Sequence, residues 1–128
     1  MLNFALVGCG RIGKRHAELL GLNQIKNACL KAICDIDPKK AQMFGERFKI
    51  PFYTKMQAMM EKEAIDVVSV LTPSGLHAQH VVTLSSYKKH IIVEKPMALT
   101  LDDADAMIHA CDKAGIKLFV VKQNRYNY

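Results

Sequence analysis

Tryptophan is absent from this chain, and cysteine is both sparse and unpatterned. Cys9, Cys29, Cys34 and Cys111 stand 20, 5 and 77 positions apart, so they form neither a CxxC pair nor a zinc-finger rhythm. Each lies in an apolar run or beside a glycine, where cysteine serves as a small hydrophobe. No disulfide framework and no metal site are expected. No apolar run approaches the ~20 residues of a membrane span. The opening stretch 1–7 carries no basic leader and meets Gly8 too soon to form a signal-peptide core. A protein of the reducing cytoplasm, with no membrane partner, is the expectation.

Positive charge is in excess, with 18 Lys+Arg against 12 Asp+Glu, but it is not organised. The first half holds 11 basic against 6 acidic residues, scattered and without interleaved aromatics. That pattern excludes the basic stripe of a nucleic-acid binder and leaves a solvated surface, with some pull on an anionic ligand.

What the chain does have is apolar material: 50% of its 128 residues, enough for the core of one domain. Short apolar runs at 4–7, 29–34, 67–71, 91–93 and 118–121, with a weak one at 51–53, read as six strands. They are nearly continuous rather than alternating, as strands covered on both faces are. Helical patterns fill the intervals. Asp37 is placed to cap a helix opening on Pro38, and Thr54 to cap one whose Met56, Met59 and Met60 share a face. Thr100 and Asp103 resemble a capping box before the stripe Ala104, Met107, Ile108 and Cys111, which Gly115 ends. Strands alternating with helices predict an α/β doubly wound, mostly parallel six-stranded sheet occupying 1–128, a Rossmann fold.

The segment Gly8-Cys9-Gly10-Arg11-Ile12-Gly13 is a GxGxxG set between the first strand and a helix. Its glycines permit a tight turn, close approach of backbone to pyrophosphate, and tight helix–strand packing. The helix that follows presents free N–H groups and the positive end of its dipole. Asp35 ends the second strand, 22 residues beyond Gly13, where a carboxylate accepts from both hydroxyls of an adenosine ribose. That carboxylate would repel a 2′-phosphate. NAD is therefore favoured over NADP, although Lys39 and Lys40 partly offset the charge.

Two more segments sit at strand C-termini, where open α/β sheets bind ligands. The fourth strand runs into Thr72-Pro73, with His77 beyond, and the fifth into Glu94-Lys95-Pro96. A lysine placed there can polarise or protonate an alkoxide oxygen, while a bare Glu-Lys pair at a strand end is as readily a solvated edge. His77 and His80 have a spacing compatible with metal but no acidic or cysteine companion, and His16, His90 and His109 read as packing or surface residues.

Taken together, the glycine turn, Asp35, Thr72-Pro73 with His77, and Glu94-Lys95-Pro96 resemble the N-terminal domain of the Gfo/Idh/MocA oxidoreductases. The resemblance spans essentially all 128 residues. It implies that Gly8, Gly10, Arg11, Ile12 and Gly13 cradle pyrophosphate and Asp35 holds the adenosine ribose. It implies that Thr72, Pro73 and His77 line the trough toward the nicotinamide, with Glu94 at its ribose and Lys95 at the reacting oxygen. Pro96 would fix the lysine's backbone, in some members through a cis peptide. The polar stretch after the sixth strand, with Gln123 and Arg125, is similar to members acting on sugar nucleotides, including UDP-sugar uronate 3-dehydrogenases. Gln123 is thereby implied at the cofactor and Arg125 at the substrate.

The resemblance implies an NAD-dependent oxidoreductase of sugars, polyols or sugar nucleotides. It also implies a C-terminal substrate domain, absent from this sequence, that supplies an acid/base partner and the sheet through which full-length members form homo-oligomers. The expectation is that these 128 residues bind NAD but turn over poorly alone. A non-catalytic NAD-binding or redox-sensing module is the alternative, and a domain for S-adenosylmethionine a further one that leaves Glu94-Lys95-Pro96 unexplained.

Overall fold

A computed structural model of the chain describes residues 1–22 and 24–121. In chain order the elements are β1 (Leu2–Val7), α1 (Arg11–Gly21), β2 (Ala28–Cys34), α2 (Pro38–Phe48), β3 (Phe52–Tyr53), α3 (Met56–Lys62), β4 (Val67–Val70), a 3-10 turn (Ser74–Leu76), α4 (His77–Ser85), β5 (His90–Glu94), α5 (Leu101–Ala114) and β6 (Leu118–Val121). The strands form one sheet in the order β3-β2-β1-β4-β5-β6, every pair parallel. The order reverses between β1 and β4, which opens a crevice at the strand C-termini. Lys31 is an extra residue in β2, because Phe4 pairs with Leu30 while Ala5 pairs with Ala32.

Helix ends follow the local chemistry at three of the expected places. The Asp37 side chain accepts the Lys39 N–H, with Pro38 at the first helical position. Thr100 accepts the Asp103 N–H, and Gly115 closes α5 in the left-handed conformation. Thr54 does not cap α3, whose N-cap is Lys55 with no side-chain hydrogen bond. That seven-residue helix is held instead by burial of Met59 and Met60.

The core has two layers, as a doubly wound sheet demands. On one face Ala5, Val7, Val68, Val70, Ile91 and Val93 meet side chains of α3, α4 and α5. On the other, Leu6, Leu30 and Ile33 meet Ala17 and Leu20 of α1 and Phe44 of α2. Cys9, Cys34 and Cys111 are buried, as their apolar settings predict.

Among the described residues, coverage on both faces does not extend to β6. Two helices cannot span six strands: α1 packs on β1 and β2, and α2 on β2 and β3. Phe119, which pairs with Ile92 and so faces the α1/α2 side, accordingly remains 50% exposed. No helix among the described residues is long and apolar enough to cross a membrane.

Candidate functional site

A cavity of about 840 Å³ opens at the C-terminal ends of β1, β2, β4 and β5, large enough for an extended nucleotide. The glycine turn forms its floor. Gly8 has φ +112°, and a Cβ there would lie 2.8 Å from the Leu71 carbonyl oxygen at the end of β4. A Cβ on Gly13 would lie 2.1 Å from the Gly8 carbonyl oxygen, so the helix sits directly on the turn. Gly10 is different: nothing lies within 4 Å of a Cβ built there. Two glycines let backbone meet backbone, and the middle one leaves open space.

That space faces the start of α1. Its first intrahelical bond runs from the Lys14 N–H to the Gly10 carbonyl. The N–H groups of Arg11, Ile12 and Gly13 therefore have no acceptor within the helix. The helix carries no side-chain cap and no acidic residue in its first turn. A phosphate is the natural acceptor there.

Asp35 stands beside the turn. Its carboxylate accepts the Cys9 N–H at 2.7 Å through Oδ2 and the Asp37 N–H at 2.8 Å through Oδ1. Half of its acceptor capacity is thus spent on orienting it, and the rest is available to ribose hydroxyls. Ile36, 90% exposed, and Lys40 line the same end of the cavity. Burial and the Asp35 charge push the Cys9 thiol up to about 12, and the same causes hold Cys34 at about 11.

The other end of the cavity is built from the loops after β4 and β5. Thr72, Pro73, His77, Glu94 and Lys95 all line it. Thr72 Oγ1 lies 2.9 Å from His80 Nδ1. Glu94 is buried, with Oε1 4.0 Å from His16 Nε2 on α1. Burial lowers the His16 pKa, against the pull of the Glu94 carboxylate, and burial likewise lowers that of His80. Lys95 is exposed at the rim, and the Lys95–Pro96 peptide is cis.

Sequence reasoning singled out Gly8, Gly10, Arg11, Ile12, Asp35, Thr72, Pro73, His77, Glu94 and Lys95, and the fold brings all ten to one cavity. Gly13 lies beneath the turn as a packing position. Gln123 and Arg125 lie outside the described residues. Three participants went unassigned: His80, which holds the Thr72 hydroxyl; His16, which faces Glu94; and Leu71, whose carbonyl demands glycine at position 8. None of the three contacts has a spacing signature, because each joins different elements. Among the described residues no group of three or more His, Cys, Asp or Glu is placed to hold a metal.

The model of the oxidoreductase family with an NAD-binding Rossmann fold, Gfo/Idh/MocA, matches residues 2–122. The chain belongs to this family. Among solved structures it is similar to the WlbA dehydrogenase of Bordetella pertussis, crystallised with NADH and UDP-GlcNAcA, with a TM-score of 0.91 and 37% identity over 98% of this chain and 38% of that one. It is 35% identical to a D-apiose dehydrogenase of Paraburkholderia graminis, over 95% of this chain and 32% of the relative. It is 32% identical to the myo-inositol 2-dehydrogenase of Thermotoga maritima, over 98% of this chain and 37% of the relative. The chain thus spans about a third of the length of these relatives. It is an NAD-binding Rossmann domain of the Gfo/Idh/MocA type. An open middle glycine, an uncapped helix start and an oriented carboxylate fit a dinucleotide.

Proposed function

We propose that this domain is the cofactor half of an NAD-dependent dehydrogenase acting on a hydroxyl- or carbonyl-bearing carbon of a sugar, polyol or sugar nucleotide. The observation that carries the reading is the position of Lys95. It follows the buried Glu94 on the rim of the same cavity that holds the glycine turn and Asp35. Bound NAD would supply hydride chemistry at its nicotinamide ring. The remaining work falls to the chain. The first N–H groups of α1 take the pyrophosphate, and Asp35 holds the adenosine ribose. Glu94 meets the nicotinamide ribose. Lys95 Nζ hydrogen-bonds the substrate oxygen and stabilises its developing charge while a proton is moved there.

A substrate domain, which positions the reacting carbon and excludes water, completes the enzyme in this reading. Similarity to the WlbA dehydrogenase favours a sugar nucleotide. Four unpaired thiols suit a cytoplasmic setting. The Asp35 carboxylate favours NAD over NADP.

Thermal melts with NAD, NADP and S-adenosylmethionine test the cofactor part, since a ligand at 100 Kd stabilises by about 2.7 kcal/mol. Only NAD or NADH should produce the full shift. In a chain that also carries a substrate domain, Lys95→Met should lower kcat by about 100-fold or more. Full activity after that substitution would instead favour a module that binds NAD without catalysing. Brisk turnover by residues 1–128 alone would refute the division of labour.

A further inference from the structure

His77 is the first residue of α4 and is 1% exposed. Both of its ring nitrogens face backbone carbonyls, and those carbonyls belong to two different loops. Nε2 lies 2.8 Å from the Thr72 oxygen, in the loop after β4. Nδ1 lies 3.1 Å from the Pro96 oxygen and 3.2 Å from the Met97 oxygen, in the loop after β5. All three partners are acceptors, so each ring nitrogen can bond its partner only as an N–H donor. Neither nitrogen is aimed at a metal.

We propose that His77 is a positioning residue that ties the Lys95-Pro96-Met97 loop to the end of β4, and so sets Lys95 and Glu94 at the nicotinamide end of the cleft. This rests on the cofactor reading above. The local chemistry explains why such a tie is needed. The Lys95 N–H is spent on the Val121 carbonyl of β6, at 3.2 Å. Pro96 has no N–H to offer. Toward α4 the loop presents the Pro96 and Met97 carbonyls, and the side chain that meets them is His77. The neighbouring β4 loop presents a carbonyl as well, at Thr72. A histidine ring presents one nitrogen to each of these acceptor-bearing loops, donating to both at once in its protonated form and to one at a time when neutral. His80, one turn along α4, holds the Thr72 hydroxyl, so the β4 loop is fixed to the helix and His77 extends that fixed frame to the β5 loop.

The position of the tie along the cleft sets its test. In this strand order one half of a dinucleotide lies over β1–β3 and the other over β4–β6. Asp35 marks the adenosine half. His77 acts on loops of the other half, which ADP, lacking both the second ribose and the nicotinamide, does not reach.

The affinities of NADH and of ADP are measured by calorimetry for the parent chain and for His77→Leu, His77→Asn and His77→Gln, with a thermal melt of each. The amide nitrogen of Asn falls close to Nδ1 and can serve the Pro96 and Met97 carbonyls. That of Gln falls closer to Nε2 and serves Thr72. His77→Leu is expected to weaken NADH about three- to tenfold, the range of one or two lost hydrogen bonds, and ADP by less than about twofold. His77→Asn is expected to keep most of the NADH affinity, and His77→Gln to behave like His77→Leu. Equal weakening of both ligands, unchanged NADH binding in His77→Leu, or rescue by Gln and not by Asn would overturn the proposal. If His77→Leu does not fold, the Asn and Gln variants decide by the same comparison. A parent chain that binds ADP but not NADH would overturn this proposal and spare the adenosine site. One that binds neither would overturn the cofactor reading itself.

Discussion

The Asp35 carboxylate accepts the Cys9 N–H at 2.7 Å, so the acid at the end of β2 is bonded to the glycine turn at the end of β1. The two features that mark a dinucleotide site in sequence are therefore one hydrogen-bonded unit in space. Its second oxygen takes the Asp37 N–H, which leaves the carboxylate little freedom to rotate. Orientation before binding removes an entropy cost that the ligand would otherwise meet.

Asp35→Ala should then weaken NAD by about 10- to 100-fold, the range for hydrogen bonds to a charged group. Discrimination against NADP should fall with it, because the repulsion of a 2′-phosphate goes too. Asp35→Asn is expected to lose a similar amount. Its amide must turn an NH2 toward either the Cys9 or the Asp37 N–H. Calorimetric titration of both cofactors into each variant checks this. Unchanged NAD affinity in Asp35→Ala would remove Asp35 from the site.

The three glycines of the turn should separate by experiment as they do in geometry. Gly13→Ala drives a Cβ to 2.1 Å from the Gly8 carbonyl oxygen, and backbone must move to relieve it. A loss of about 3 kcal/mol or failure to fold is expected. Gly10→Ala meets nothing within 4 Å, and its φ of −83° is ordinary for alanine. Its stability should stay within about 0.5 kcal/mol of the parent, while NAD affinity drops at least about tenfold as the methyl enters phosphate space. Melts and titrations of the two variants side by side check the pair. Parent-like NAD binding by Gly10→Ala would place the phosphates elsewhere.

The sequence made the strands, the crossovers and the ligand end of the sheet legible for a local reason. Each strand is a short apolar run, and each strand end carries the polar or glycine residue that ends it. Strand bounds shifted by a residue or two: β3 is Phe52–Tyr53 rather than 51–53, and β5 extends to His90–Glu94. What pattern could not show was the set of bonds between elements. His77 was expected to line the trough by resemblance, and it does face the cavity, but its ring nitrogens are engaged with backbone of two loops. His16 shows no periodic sign of its approach to Glu94, which joins α1 to the end of β5. The stripe on α5 was half right. Met107 and Cys111 are buried, while Ile108 is 47% exposed because nothing among the described residues packs outside that helix face.

Burial of two thiols at the site has a chemical consequence. With Cys9 pushed up to about 12 and Cys34 to about 11, the thiolate fraction at pH 7.5 is below roughly one in a thousand for either. Both side chains are also inaccessible, at 4% and 2% exposure. Iodoacetamide at pH 7.5 should leave Cys9 and Cys34 unmodified in the folded chain and alkylate both in urea, as read by peptide mass spectrometry. Rapid labelling of Cys9 in the native chain would show that the turn opens to solvent.

Two histidines should make the domain acid-sensitive. Burial lowers the pKa of His16 and of His80 below the ordinary 6.5, so each favours its neutral form in the folded chain. Below pH 6.5 the unfolded chain takes up protons that these sites resist, and stability must rise with pH across that window. The contribution is complete above pH 6.5 and declines as pH falls toward the folded values. For His16 the nearby Glu94 carboxylate moderates the loss, since it favours the charged ring, but burial is the larger effect. Melting temperature should therefore drop between pH 7.5 and 5.5. His16→Gln and His80→Gln should each flatten that descent, and the double variant should flatten it further because the two sites do not share a partner. A descent that survives in the double variant would assign the acid sensitivity to other groups.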